Sequence, residues 1–382
     1  MKVALITDGI FPYVIGGMQK HSYYLAKYFA QRKIDVDLYH TNQSSYDINQ
    51  LELFTEDEKR HIHSLVIDFP KYYYFPGHYL VESYVYSKRV FNEFIKRKDV
   101  DFIYVKGFSG WKLIAEKSNG LECAPVGINF HGYEMFQPSP SFQSVIPNSL
   151  LRRAVLLNVK KSDYVFSYGS KITDIIRSIN IPSSKIMEIP TGIEPAWLNE
   201  NSKANKKHLV KFIFIGRYER RKGVELLYDI LKEMDDTAFT YEFHFVGPIP
   251  EQYQLKSNKV FYHGSISDHQ QMKAIIKECD VLVCPSFSEG MPNVIMEAMA
   301  SGLAVIATNV GAVDQLVNTA NGWLIEPGDK NKLKKTLIDA MEITDKNLSD
   351  KKQVSVKRIR EIFLWDHIAD KTISKITECL KK

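Results

Sequence analysis

The stretch VLVCPSFSEGMPNVIMEAMASG, residues 281–302, decides how this 382-residue chain folds. Val281–Cys284 reads as a buried strand. A Ser/Glu/Gly turn follows, and Pro292 then opens an apolar helical run. Proline is favoured in the first turn of a helix, where its missing N–H would be unpaired anyway. Such a helix start presents amides near Met291, Asn293 and Val294 and about +0.5 of an elementary charge. Strand, turn and helix in this order are the repeating unit of a parallel α/β sheet, and the turn is a ready anion site.

The same alternation extends in both directions. Upstream lie Val3–Thr7, Val36–His40, Ser64–Asp68, Phe102–Val105, Val126–Phe130, Tyr164–Tyr168 and Ile186–Ile189. A second series holds Phe212–Ile215, Phe243–Val246, Val260–His263, Val281–Cys284, Ala304–Ala307 and Trp323–Ile325. These runs are apolar on both faces, which suits parallel strands covered by helices on two sides. Val224, Leu227, Leu231 and Met234 follow the helical period, as do Met272, Ile275, Ile276 and Cys279. Between the series lies ENSKANKKH, residues 200–208, polar and charged, a linker composition. The expected organisation is two α/β domains, 1–200 and 201–350, with a helical tail over 351–382. Open parallel sheets bind ligands at the carboxyl ends of their strands, so two doubly wound domains facing each other across a cleft are expected.

Composition narrows the partners. Apolar residues make 45% and charged residues 25%, the balance of a globular protein, and 20 glycines with 15 prolines exclude a fibrous or low-complexity chain. A net charge of +5 is too mild for a dedicated nucleic-acid binder. Cys123, Cys279, Cys284 and Cys379 form no CxxC pair and signal no zinc site. The uncharged run 298–308 is short of the ~18 residues of a membrane span, and the amino end lacks a secretory apolar region. A cytoplasmic location is expected, peripheral to the inner face of the plasma membrane if the acceptor is lipid-linked.

The strand at 212–215 ends in GRYERRKG, residues 216–223. Arg217 and Lys222 are placed to hold a diphosphate, Arg by gripping two oxygens and Lys as a mobile point charge. A solvated basic loop is the bland alternative. Glu297 sits amid Val294, Ile295, Met296, Ala298, Met299 and Ala300, so it is expected to be buried and to need a partner. A vicinal diol, which a ribose offers, or a backbone or lysine donor meets that need. Glu289, eight residues earlier, is placed to read sugar hydroxyls or to face solvent. After the first strand, Gly16–Gly17 permits close approach of backbone to a ligand. His131 and Glu134 follow the run 126–130, at a strand's carboxyl end. Residues 71–98 interleave tyrosine and phenylalanine with Lys88, Arg89, Lys96, Arg97 and Lys98. They suit a membrane interface or sugar surface, or a helix covering the first sheet.

Taken together, these motifs resemble the retaining glycosyltransferases of family 4, the GT-B class, glycosyl transferases group 1. The resemblance rests on Gly16–Gly17, His131–Glu134, IPTGI at 189–193, Gly216–Arg217 with Lys222–Gly223, and above all Glu289 and Glu297 joined by Gly290-Met-Pro-Asn. It implies two Rossmann-like domains and transfer of a sugar from a nucleotide diphosphate sugar, UDP- or GDP-linked, to a saccharide or lipid-linked acceptor. It implies retention, no bound metal and no separate cofactor. By carry-over, Arg217 and Lys222 neutralise the leaving diphosphate and Glu297 holds the ribose. Glu289 holds donor sugar hydroxyls, helped by Gly290, Met291, Pro292, Asn293 and Val294. Gly264 and Ile266 lie beside the base, His131 lines the reacting centre, and Glu134 stands on the acceptor side. Gly16 and Gly17 let the first domain close over the diphosphate, and the last helices cross back to the first domain, anchored by Trp365. The resemblance also places the enzyme in cell-surface polysaccharide, lipopolysaccharide or glycolipid assembly. Many relatives carry His-Asp where this chain has His131-Gly132. A sugar-nucleotide epimerase on the same fold, or a non-catalytic sugar-nucleotide binder, are the alternatives.

Overall fold

The computed structural model describes residues 1–42, 54–137, 145–199 and 209–381. The expected linker at 200–208 lies outside the described residues. The chain divides into two compact units. The first takes the described residues of 1–136, 145–192 and 365–381, and the second takes Gln137, 193–199 and 209–364.

In the first unit, strands and helices alternate as β1 Lys2–Ile6, α1 Gly17–Gln31, β2 Asp35–His40, α2 Glu56–His61, β3 Ile62–Val66 and α3 His78–Phe94. Then come β4 Phe102–Lys106, α4 Trp111–Ser118, β5 Val126–Asn129, α5 Val145–Lys161, β6 Tyr164–Ser167, α6 Ser170–Ser178 and β7 Ile186–Glu188. All pairings are parallel, in the order β3-β2-β1-β4-β5-β6-β7. β4 and β5 are buried at every position, as strands covered on both faces must be.

β3 begins at Ile62, two residues before the expected Ser64. Thr55 and Glu58 form a reciprocal cap, with Glu58 N–H donating to Thr55 Oγ1 at 3.3 Å and Thr55 N–H to Glu58 Oε2 at 2.9 Å. The short α2 that they start runs directly into the strand, so Ile62 ends one element and begins the next. The aromatic stretch divides in two. Tyr86 and Phe94 of α3 are buried at 0% exposure, whereas Tyr73 is 97% exposed and Tyr74 88%.

The second unit runs β8 Val210–Ile215, α7 Val224–Asp235, β9 Tyr241–Val246, β10 Val260–Tyr262, α8 His269–Lys277, β11 Val281–Cys284 and α9 Asn293–Ala300. It continues with β12 Ala304–Thr308, α10 Val313–Leu316, β13 Gly322–Ile325, α11 Lys330–Met341 and α12 Asp345–Arg358. The sheet is again parallel, ordered β10-β9-β8-β11-β12-β13. The apolar face read in α7 is buried at Val224, Leu227, Leu231 and Met234.

Each sheet therefore reverses its strand order once, between β1 and β4 in the first unit and between β8 and β11 in the second. Connections leave such a point in opposite directions, which opens a crevice at the carboxyl ends of the two strands.

The carboxyl tail is two helices. A π turn at Ile359–Phe363 ends α12, and α13, Trp365–Leu380, packs with the first unit. Trp365 is fully buried beside Tyr24, Tyr28 and His21, its ring centroid 5.6, 6.0 and 5.0 Å from theirs. A Cβ on Gly192 would lie 3.0 Å from Trp365 Cα, so that glycine admits the helix start. Arg32, the residue that caps α1, donates to Asp366 O at 2.9 Å and pairs with Asp370. Trp365→Ala is expected to destabilise the first unit by about 3–5 kcal/mol, the usual cost of emptying a large aromatic site, read from that unit's urea transition.

Candidate functional site

The crevice between β8 and β11 is built from two loops that lock together. Loop 216–223 leaves β8, and loop 285–292 leaves β11. Phe287 N–H donates to Arg221 O at 2.8 Å, and a Cβ on Gly223, whose φ is +72°, would collide with the Pro285 carbonyl. This packing brings Lys222 Nζ to 2.6 Å from Glu289 Oε1. Arg221 joins from the other side. Its guanidinium donates to Ser288 O at 2.9 Å and lies 3.9 Å from Glu289 Oε2. The Glu289 side chain is only 9% exposed, and Gln137 grips its main chain, donating to Glu289 O at 2.7 Å and accepting from Glu289 N–H at 3.3 Å. A carboxylate so enclosed requires a cation, and two are supplied.

Three residues past Gly290, α9 begins. Pro292 is its N-cap and offers no side-chain hydrogen bond to the first-turn amides. α9 buries Ile295, Met296, Ala298, Met299 and Ala300 and leaves Asn293, Val294 and Glu297 half-buried on one stripe. Gly311, φ +57°, lets the loop before α10 approach the carbonyls of Glu289 and Gly290 from behind, and Ala312 N–H donates to Gly290 O at 2.8 Å.

The carboxyl edge beyond β8 is lined by backbone. Gly216 N–H donates to Val246 O at 2.9 Å and Gly247 N–H to Gly264 O at 2.8 Å. A Cβ on Gly247 would meet the Gly216 carbonyl, whereas one on Gly264 would meet nothing within 4 Å.

The crevice of the first unit has a different chemistry. Lys106, the last residue of β4, is 0% exposed, and its Nζ lies 2.8 Å from His21 Nδ1 on α1. It also lies 4.4 Å from the Tyr104 ring centroid. Burial holds the Lys106 amine well below its usual range. His21 is pushed down by burial, then by Lys106 and His131. His131 is pushed down by burial and then by Lys106. Its Nδ1 meets the Tyr168 hydroxyl, and its main chain is left-handed at φ +55°. Beside this cluster, after β1, Gln19 donates to Asp8 Oδ1 at 2.9 Å. Gln19 fills the space over Gly16, where a Cβ would meet its amide oxygen. Burial raises the Asp8 carboxyl from 3.8 to about 6, against the hydrogen bond from Gln19.

Residues 210–342 match the family described as glycosyl transferases group 1, and residues 15–197 match glycosyltransferase family 4. The chain belongs to this glycosyltransferase family. Its fold is the two-domain GT-B class. Sucrose-phosphate synthase from Thermosynechococcus elongatus superposes with a TM-score of 0.80 at 18% identity, over 100% of this chain and 99% of that one. Anabaena HepE, solved with UDP and glucose, superposes at 0.67 with 18% identity over 99% of each. Among curated proteins, a Campylobacter jejuni N,N'-diacetylbacillosaminyl-diphospho-undecaprenol alpha-1,3-N-acetylgalactosaminyltransferase is 29% identical over 180 residues, 44% of this chain and 45% of the relative. The chain spans 28–52% of the length of four curated relatives that it matches at 24–33% identity.

In this family 4 chain, Lys222, Glu289 and the start of α9 converge. Arg217 does not join them: its side chain is 71% exposed and pairs with Glu219 Oε1 at 3.0 Å. Glu219 in turn reaches Arg221 at 3.5 Å, so Arg217 is linked to the site through two intermediaries. Glu297 is half-buried, not buried, because the helix stripe that starts at Asn293 faces outward. Pro292 is the cap residue and not the first helical position. Gly264 and Ser265 are exposed and Ile266 half-buried past β10. Glu134 is exposed in a short 3₁₀ turn.

Sequence reading passed over Arg221, Gln137, Gly247, His21, Lys106 and Tyr168. The legible signal was Lys106: a lysine closing the otherwise apolar run FIYVK, directly before Gly107. Asp8 leads to a prediction with a definite sign. Its folded pKa is raised, so the folded chain binds that proton more tightly and stability falls as pH climbs from about 4 to about 6. Asp8→Asn keeps the acceptor for Gln19 and removes the ionisation. The variant is expected to match wild type near pH 4 and to exceed it by up to about 3 kcal/mol near pH 8 in urea denaturation.

Proposed function

We propose that this chain is a retaining, metal-independent glycosyltransferase. It moves a sugar from a nucleotide diphosphate sugar, UDP- or GDP-linked, to a saccharide or lipid-linked acceptor in cell-surface polysaccharide or glycolipid assembly. The observation that carries the reading is the meeting of Lys222, Arg221 and Glu289 at the amino end of α9.

Each group has a task that its chemistry allows. The leaving diphosphate gathers negative charge as its bond to the anomeric carbon breaks. Lys222, Arg217 on its exposed tether, and the N–H groups of Gly290, Met291, Asn293 and Val294 offset that charge, which is usually the largest catalytic term. Glu289 is held as a hydrogen-bond acceptor for donor sugar hydroxyls, and Glu297 opens on the same stripe as Asn293 towards a ribose diol. Gly264 and Ile266 border the base. Gly16 and Gly17 serve the diphosphate, His131 lines the reacting centre, and Glu134 serves the acceptor. For retention, the acceptor oxygen bonds to the anomeric carbon on the face that the diphosphate leaves. The acceptor proton passes to a diphosphate oxygen, so no enzyme nucleophile is required. The C. jejuni relative's undecaprenol-linked acceptor supports a lipid-linked acceptor here, and HepE's UDP supports a uridine donor.

Transfer of labelled sugar from a panel of UDP- and GDP-sugars tests this. Turnover is expected with acceptor and not with donor alone, and it should survive EDTA. Conversion of donor without acceptor would instead indicate an epimerase, and binding without turnover an inactive scaffold. Lys222→Ala should lower kcat/KM by about 10²–10³, the cost of removing one preorganised charge-stabilising group. Glu289→Ala and Arg217→Ala should lower it too, the latter least. Full activity in all three would overturn the site.

No helix among the described residues is long and apolar enough to cross a membrane. The exposed Tyr73 and Tyr74, with exposed Lys88 and Arg89 on α3, suit contact with an anionic bilayer surface. Co-sedimentation with phosphatidylglycerol vesicles is expected and should be lost in a Tyr73→Ser, Tyr74→Ser, Lys88→Gln, Arg89→Gln variant. Absence of binding by wild type would remove the membrane contact.

A further inference from the structure

The two ring nitrogens of His131 meet different surroundings. Nδ1 meets the Tyr168 hydroxyl, while Nε2 is buried with no hydrogen-bond partner among the described residues. The His131 N–H donates to Asn129 Oδ1 at 2.8 Å, and this contact fixes the Asn129 amide. With Oδ1 committed, the Asn129 NH2 donates to the Tyr104 hydroxyl at 3.1 Å. The Tyr168 phenol has its own hydrogen to place, and burial keeps it protonated by raising its pKa well above the usual range. His131 Nδ1 is the acceptor within reach. The opposite assignment, Nδ1–H donating to Tyr168, strands the phenol hydrogen, whereas Nε2 lacks a partner among the described residues in either tautomer. Unpaired buried polar atoms are costly, so counting donors and acceptors selects the tautomer.

We propose that Tyr168 is a positioning residue that holds His131 in the tautomer carrying its hydrogen on Nε2, so that the ring meets substrate as a hydrogen-bond donor and not as a base. The ligand group it suits is a sugar hydroxyl or phosphate oxygen. The inference rests on the reading of His131 as lining the reacting centre.

The groups around the ring favour the same state. From α1, His21 stands edge-on to His131, with centroids 5.1 Å apart. From β4 come Lys106, 2.8 Å from His21 Nδ1, and Tyr104. Beyond β6 lies Tyr168, and from α13 the uncharged Trp365 packs on His21. No carboxylate pairs with Lys106 among the described residues, and none lies against His131 to invite a second proton. His131 also holds a left-handed φ, which an ordinary side chain adopts only when its surroundings insist. Asn129 on the main chain and Tyr168 on the ring together leave Nε2 one direction to offer.

The experiment uses the full chain with ¹⁵N-labelled histidine and no substrate. Two-bond ¹H–¹⁵N spectra, assigned with His131→Gln, report the protonation of each nitrogen. Wild type near neutral pH is expected to show hydrogen on Nε2 and a bare Nδ1. Tyr168→Phe should give mixed tautomers, and Lys106→Met should let His131 take up a second proton at a higher pH than in wild type. In transfer assays, Tyr168→Phe should lower kcat about tenfold with KM little changed, the weight of one well-placed hydrogen bond. A wild-type His131 with hydrogen on Nδ1 or doubly protonated overturns the proposal, as does a Tyr168→Phe spectrum or kcat equal to wild type. If Tyr168→Phe does not fold, the wild-type and Lys106→Met spectra still decide. A chain that transfers no sugar with any donor fails the glycosyltransferase reading, while the tautomer remains legible in the spectra.

Discussion

Glu289 is the constraint on which the second unit's crevice depends. Its carboxylate sits almost enclosed at the exit of β11, a position that costs several kcal/mol without a partner. The fold meets that cost by importing cations from the neighbouring strand. β8 and β11 are adjacent only because the strand order reverses between them, so the basic loop after one can lie against the acidic turn after the other. Gly223 is required because any side chain there would push the loops apart at Pro285. Gln137 then fixes the peptide of Glu289 from a separate segment of the chain. The result is a carboxylate whose oxygens are aimed before any ligand arrives, which is the condition for electrostatic preorganisation.

The first unit uses the equivalent point of its sheet in the opposite way. There the strand ends carry bases in place of an ion-paired network. Lys106, His21 and His131 are crowded together with aromatic rings, and burial works against charge on each of them. One crevice is therefore rich in fixed charge and suits an anion's counter-groups. The other is polar but disposed to stay neutral, and it suits directional hydrogen bonds to hydroxyls.

The strand plan was legible because parallel strands covered on both faces must be apolar throughout, and FIYV, VLVC and AVIA state that directly. The start of β3 at Ile62 is hidden because a capped six-residue helix runs into the strand without a break, and no turn residue marks the change. Glu297 was expected to be buried because the helix around it is apolar, yet one stripe of an apolar helix can still open at its amino end. Arg217 and Arg221 are indistinguishable by charge. Only the path of the loop shows that Arg221 turns in to Ser288 while Arg217 turns out to Glu219. His21 and Tyr168 were hidden because a histidine on a helix face and a tyrosine past a strand end read as core.

The turn after β5 shows how backbone geometry can relocate an acid. His131 and Tyr133 both adopt positive φ, at 55° and 52°, with Gly132 between them. Two left-handed residues two apart curl the chain so tightly that Glu134 folds back over Gly132. A Cβ at 132 would lie 2.7 Å from Glu134 Oε1 and 3.1 Å from Oε2. An aspartate at 132 and this placement of Glu134 therefore exclude each other, because both side chains claim one volume. Gly132 makes room for an acid that arrives from two residues downstream.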